Sequence, residues 1–97
     1  MIVRILGEGQ FQVNDDMAAK LTALDGELDA AVQKEDDATF RTVLDALVRL
    51  VRGSGAPVPD DQLVTADFIL PFSDATLAEV RQLLAEGKIS GDSLGMP

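Results

Sequence analysis

The sequence contains no cysteine, histidine, tryptophan or tyrosine, and its only aromatic residues are four phenylalanines. Without cysteine and histidine the chain has no thiol nucleophile, imidazole base, disulfide or Cys/His zinc site. The scarcity of aromatic rings also removes most platforms on which nucleic-acid bases stack. We therefore expect a protein that is not an enzyme and that holds neither a cofactor nor a metal ion.

Basic residues are also scarce, with eight lysines and arginines against seventeen aspartates and glutamates. The resulting net charge of −9 repels phosphate backbones and anionic lipid headgroups, so nucleic acid is not expected as a partner. A length of 97 residues with 46% hydrophobic content is typical of one globular domain. We assign residues 1–97 to that domain, with 1–89 as the ordered core and 90–97 as a flexible tail.

Long apolar runs are absent as well. The densest stretch, Val43 to Val51, is interrupted by Asp45 and Arg49 and is far shorter than the roughly 20 residues that a spanning helix needs. The first residues lack the pattern of a secretory signal. We expect a cytoplasmic protein, recruited to the inner face of a membrane only through a partner.

Hydrophobic periodicity predicts the secondary structure. Ile2–Leu6 and Gln10–Val13 alternate around Gly-Glu-Gly as a β-hairpin does, and helical spacing follows from about Met17 to Lys34 and from Ala38 to Arg52. Gly53 to Asp61, with Pro57 and Pro59, is predicted to be a loop. Ala66 to Leu70 then predicts a strand, and Thr76 and Glu79 are spaced as a capping box for a last helix that Gly87 ends.

The predicted fold is an α+β domain of order β-β-α-α-β-α, in which a three-stranded antiparallel sheet packs against an αα-hairpin and a C-terminal helix. The predicted core is Ile5, Phe11, Leu21, Leu28, Phe40, Leu44, Leu47, Phe68, Leu77, Val80 and Leu84. Because this core is small, we expect help from a homo-oligomer or a partner.

Several residue groups invite a chemical interpretation. Gly7-x-Gly9 follows a strand, but it lacks the third glycine and the Lys-Ser/Thr of a phosphate loop and is interpreted as a hairpin turn. The aspartate pairs at 15–16, 36–37 and 60–61 fall where helices start or turns form, which capping explains. The serines have no histidine to activate them, although a hydrolase that uses carboxylates alone stays open at this point.

The second helix carries the sharpest candidate site. Its apolar positions cover roughly 160° of arc, and Arg41, Asp45, Arg49 and Arg52 lie opposite them. The segment from Asp15 to Asp37, by contrast, contains eight acidic residues and only two basic ones. We take Arg41, Arg49 and Arg52 as candidate protein-interaction residues that attract an acidic partner. The alternative is that these arginines form a solvent-exposed helix face that binds no partner. The next candidate surface is the acidic row around Asp25 and Asp29.

The sequence also resembles a known family. The resemblance lies in the opening MIVRILGEGQF, the alanine-rich acidic helical hairpin, the loop PVPDD at 57–61 and the segment from Phe68-Ile69-Leu70-Pro71 to Asp74-Ala75-Thr76-Leu77. Together these look like the PspA-associated protein family, PspAA, from Met1 to about Ile89. The resemblance implies a small cytoplasmic protein of the phage-shock, or envelope-stress, system built around the membrane-remodelling coiled-coil protein PspA. The family has no catalytic motif, so no site residue is carried over.

Residues and resemblance together predict an adaptor or regulatory protein of a PspA-type stress response, acting by protein binding on a PspA-like coiled coil. The alternatives are a small ligand-sensing domain or the carboxylate-only hydrolase. A polar pocket with converging carboxylates would favour these alternatives, whereas a closed core with an exposed apolar or charged groove would favour the adaptor.

Overall fold

The computed structural model describes residues 1–59, 61, 62 and 64–89, and its chain begins with the predicted β-hairpin. Strand β1 (Ile2–Ile5) pairs antiparallel with β2 (Gly9–Gln12), so that Val3 lies opposite Phe11. Gly7 and Gly9 connect the strands with φ values of +83° and +107°. Residues that have a Cβ rarely adopt this backbone conformation, which explains why glycine occupies these two positions.

Three helices follow, and polar side chains cap the second, the third and the 3₁₀ turn that precedes the first. A 3₁₀ turn at Asp15–Met17 leads into α1 (Ala18–Gln33), and Asp36 caps α2 (Asp37–Ser54) by accepting the Thr39 backbone N–H. The helix α3 (Leu77–Ala85) begins with the predicted capping box between Thr76 and Glu79. The helices α1 and α2 are joined by three residues and pack against each other, which confirms the αα-hairpin.

The α+β class is confirmed, but the sheet has four strands rather than three. Strands β3 (Ala56–Val58) and β4 (Phe68–Leu70) occupy opposite edges, and the order across the sheet is β3-β2-β1-β4. β3 is antiparallel to β2, whereas β4 is parallel to β1. The prediction of a purely antiparallel sheet was therefore wrong, and so was the prediction of a loop across Ala56–Val58.

The edge position of β3 explains how this strand accommodates a proline. Pro57 lies on β3 opposite Phe11, and β3 has a neighbour on one side only. A proline at a sheet edge loses no ladder hydrogen bond on the open side, so it does not prevent pairing on the other side. The two prolines exclude helix from this segment, but they do not exclude an edge strand.

One hydrophobic core joins the sheet to all three helices. Of the predicted core residues all are buried except Phe11 and Phe68, which are half-buried and pack against the cluster. The fully buried residues also include Val3, Val13 and Val51. The predicted tail 90–97 lies outside the described residues. No helix in the described part of the chain has the length and apolar character needed to cross a membrane.

Candidate functional site

Arg41, the first of the three predicted interaction residues, contacts the chain that leads into α3. Its guanidinium donates hydrogen bonds to the backbone carbonyls of Ser73, at 2.6 Å, and Ala75, at 3.4 Å. It also lies 3.4 Å from the carboxylate of Asp45, one turn further along α2. Its side chain is 41% exposed. Arg41 therefore ties α2 to the β4–α3 connection.

Arg52 lies at the other end of α2 and also has an internal partner. Its Nε donates to a carboxylate oxygen of Glu8 at 2.7 Å, and its Nη2 donates to the second oxygen. This hydrogen bonding lowers the pKa of Glu8 below the usual 4.5, and a hydrogen bond with Ser73 adds to the effect while partial burial opposes it. The two-point pair holds the β-hairpin turn against the C-terminal end of α2.

Arg49 differs from the other two arginines in direction and in partners. At 100° per residue, Arg41 and Arg52 lie within roughly 20° of each other around α2, and Arg49 lies roughly 60° further round. It is exposed, and it forms no hydrogen bond or ion pair with any residue that the structure describes. The three arginines do not form one surface, and Arg49 is the one whose charge is left for a partner.

Arg49 lines a groove between α1 and α2 with a volume of about 590 Å³. Leu24 and Leu50 are half-buried in it, and Ala23 and Ala46 add small apolar surface. The remaining lining residues are polar or charged: Lys20, Glu27 and Ser54. Lys20, like Arg49, has no ion-pair partner among the described residues. We call this feature the α1–α2 groove.

The groove could be recognised only in part from the sequence. Leu50 lies at the margin of the apolar arc of α2, roughly 40° from Ala46 on the helical wheel, and a leucine at such a margin is only half covered by the core. The position of Leu50 therefore indicates the wall of the groove that α2 forms. The opposite wall depends on how α1 is rotated against α2, and the irregular apolar pattern of α1 does not determine this rotation.

The acidic row around Asp25 and Asp29 is not a surface. Both side chains face inward from α1, with 3% and 6% of their area exposed, and both have interaction partners. The prediction of a second docking face at these two residues was wrong, because α1 places polar residues inward and alanines such as Ala19, Ala23 and Ala30 outward. Within the described ranges, no three acidic side chains lie close enough together to share a metal ion.

Comparison with known proteins identifies the family. The family model described as PspA-Associated protein matches residues 1–92. The chain belongs to the PspA-associated protein family. This confirms the resemblance seen in the sequence and associates the protein with PspA systems. No curated protein and no solved structure gives a significant match to the chain.

Proposed function

We propose that this PspA-associated protein is a non-enzymatic adaptor of a PspA-type membrane-stress system and that it binds a PspA-like coiled-coil protein through the α1–α2 groove. Family membership supports the choice of system. In this proposal the protein acts in the cytoplasm and reaches the inner face of the membrane only when its partner carries it there.

The shape of the groove suits a helix. Two antiparallel helices form its walls, and a third helix laid between them would bury apolar residues against Leu24 and Leu50. Ala23 and Ala46 have short side chains that allow close approach. A coiled-coil protein presents long amphipathic helices, which are the natural occupants of such a groove.

The charge around the groove carries the proposal. Lys20 and Arg49 flank the apolar floor and lack an ion-pair partner among the described residues, in a protein whose net charge is −9. Acidic residues on a partner helix are repelled by most of the protein and attracted to these two cations. Glu27, on the same wall as Lys20, would accept one basic residue of the partner and so fix its register.

A matched pair of charge reversals tests this role. Arg49→Glu and Arg4→Glu make the same chemical change, but Arg4 is exposed on β1, away from the groove. We expect Arg49→Glu to weaken binding of the PspA-like protein from the same organism by about tenfold or more, which corresponds to about 1.4 kcal/mol. Arg4→Glu should leave the affinity within about twofold. Isothermal titration calorimetry at low and high salt measures both variants.

The salt series separates docking from general attraction. For the wild type, higher salt should weaken binding, because exposed charges are screened over about 8 Å at physiological ionic strength. The Arg49→Glu variant should lose most of this dependence. Equal affinities for both variants and the wild type, with circular dichroism showing all three folded, would rule out the groove as the binding site.

A further inference from the structure

A second exposed apolar surface includes Phe72, a residue of the β4–α3 connection. Phe72 is 44% exposed, more than any other large hydrophobic side chain among the described residues. One side of its ring rests on Gly7, where an added Cβ would come within 2.9 Å of the ring. The hairpin turn therefore packs against one side of the ring, and the rest of the ring is exposed to solvent.

Phe72 and α3 enclose a shallow depression of about 200 Å³. Leu83, half-buried, provides its apolar wall, and Glu79, Gln82 and Glu86 surround it. The Glu79 carboxylate accepts the Thr76 backbone N–H at 2.9 Å. The Glu86 carboxylate interacts with Gln82 and with Lys88, the one base beside it in the described part of the chain. We call Phe72 with this side of α3 the Phe72 surface.

The Phe72 surface and the α1–α2 groove are opposite in charge and in form. The surface presents two glutamates around Phe72 and Leu83, one of them paired with Lys88, whereas the groove presents Lys20 and Arg49, with one glutamate, Glu27, around Leu24 and Leu50. The surface is one side of a nine-residue helix about 13 Å long, and the groove is a cleft between two helices. Arg81 lies off this side of α3, because it hydrogen-bonds to the Val32 carbonyl at the end of α1.

We propose that the Phe72 surface of one copy docks into the α1–α2 groove of a second copy. The two contacting surfaces differ, so the contact is head-to-tail and each added copy exposes a new groove and a new Phe72 surface. The contact is small compared with the roughly 1,000 Å² that a stable interface buries, and association is therefore weak and depends on concentration. Self-association uses the same groove as the proposed partner helix and competes with it.

Complementation between two variants provides the test. Phe72→Ser removes the docking surface but keeps the groove, and Arg49→Glu disables the groove but keeps the Phe72 surface. In sedimentation velocity, we expect the wild type to gain mass with rising concentration and each variant alone to stay monomeric. An equal mixture of the two variants should form dimers and nothing larger, because each copy then offers one intact surface. Val64→Ser, which changes another exposed apolar residue, should behave as the wild type does.

A second variant tests the same contact in case Phe72→Ser disturbs folding. Gln82→Arg adds a like charge facing Lys20 and Arg49, and the Gln82 side chain is bonded only to Glu86 within the described residues, so the helix should remain intact. A wild type that stays monomeric up to about 1 mM, or two monomeric variants whose mixture also stays monomeric, would overturn the proposal. These measurements use the protein alone, and their failure would leave the groove free to bind a PspA-like helix.

Discussion

The individual cations of α2 serve different purposes in a chain that has few of them. Arg41 donates to the Ser73 carbonyl, and Arg52 donates to the Glu8 carboxylate. Both contacts are internal and join elements that are distant in sequence. Arg49 makes no such contact with the described residues and lies beside the α1–α2 groove. The interaction role assigned to all three arginines remains a prediction, but the geometry concentrates it on Arg49.

The Glu8–Arg52 pair predicts a pH dependence of stability. The pKa of Glu8 is lowered in the folded protein, chiefly by its hydrogen bond with Arg52, so the pair stabilises the fold above the unfolded-state value near 4.5. This stabilisation is lost as the pH falls through the lower folded-state pKa. Glu8→Gln should reduce the free energy of unfolding by up to about 1 kcal/mol at neutral pH, since the pair is partly exposed.

Urea titrations across the acid range measure this effect. The difference between the wild type and Glu8→Gln should shrink as the pH falls below 4.5. Glu27→Gln serves as the control, because Glu27 is exposed and has no ion-pair partner among the described residues. A difference for Glu8→Gln that persists unchanged into acid would mean that the charge of Glu8 does not stabilise the fold.

At the scale of the elements, the junction of α2 and β3 depends on a close backbone approach. The Gly55 N–H donates to the Val51 carbonyl at 2.8 Å, and a Cβ on Gly55 would lie 2.6 Å from that oxygen and 3.0 Å from the Cβ of Phe11. The end of α2 and strand β2 can approach this closely only when the residue between them has no side chain.

Two glycine-to-alanine substitutions two residues apart should therefore have opposite effects. Gly55→Ala should destabilise the protein by about 1–3 kcal/mol, because backbone atoms must move to admit the methyl group. Gly53→Ala should stabilise it by about 0.5–1 kcal/mol, since Gly53 lies within α2 and nothing is within 4 Å of its added Cβ. Thermal or urea unfolding of the two variants decides the matter, and effects of the same sign would contradict this account of the junction.

The helices could be predicted from the sequence, but the sheet order could not. Residues at helical spacing such as Phe40, Leu44 and Leu47 share one face whatever the tertiary structure, so local pattern was sufficient. The parallel pairing of β4 with β1 joins residues more than sixty positions apart, as Asp67 and Ile2 show, and no local pattern encodes it. For the same reason the sequence singled out Arg49 as a candidate residue, but it did not single out Lys20 and Leu24, which line the opposite wall of the groove.

At the scale of the whole molecule, charge and shape combine into one binding account. The net charge of −9 makes most of the surface unfavourable for an acidic partner, and the two cations of the α1–α2 groove create a local exception beside half-buried leucine side chains. If the Phe72 surface of a second copy occupies the same groove, as we propose, the protein's own concentration should regulate how much of the groove is free for a partner.

The central claim is that a PspA-like helix occupies the α1–α2 groove, and amide chemical-shift mapping tests it most directly. Isotope-labelled protein is titrated with the PspA-like protein of the same organism, or with one helix of it if the complex is too large. The account predicts that the largest changes fall on α1 between Lys20 and Glu27 and on α2 between Ala46 and Ser54, with β1 and β2 little affected. Saturable changes concentrated on β1 and β2, with the groove residues unmoved, would contradict it.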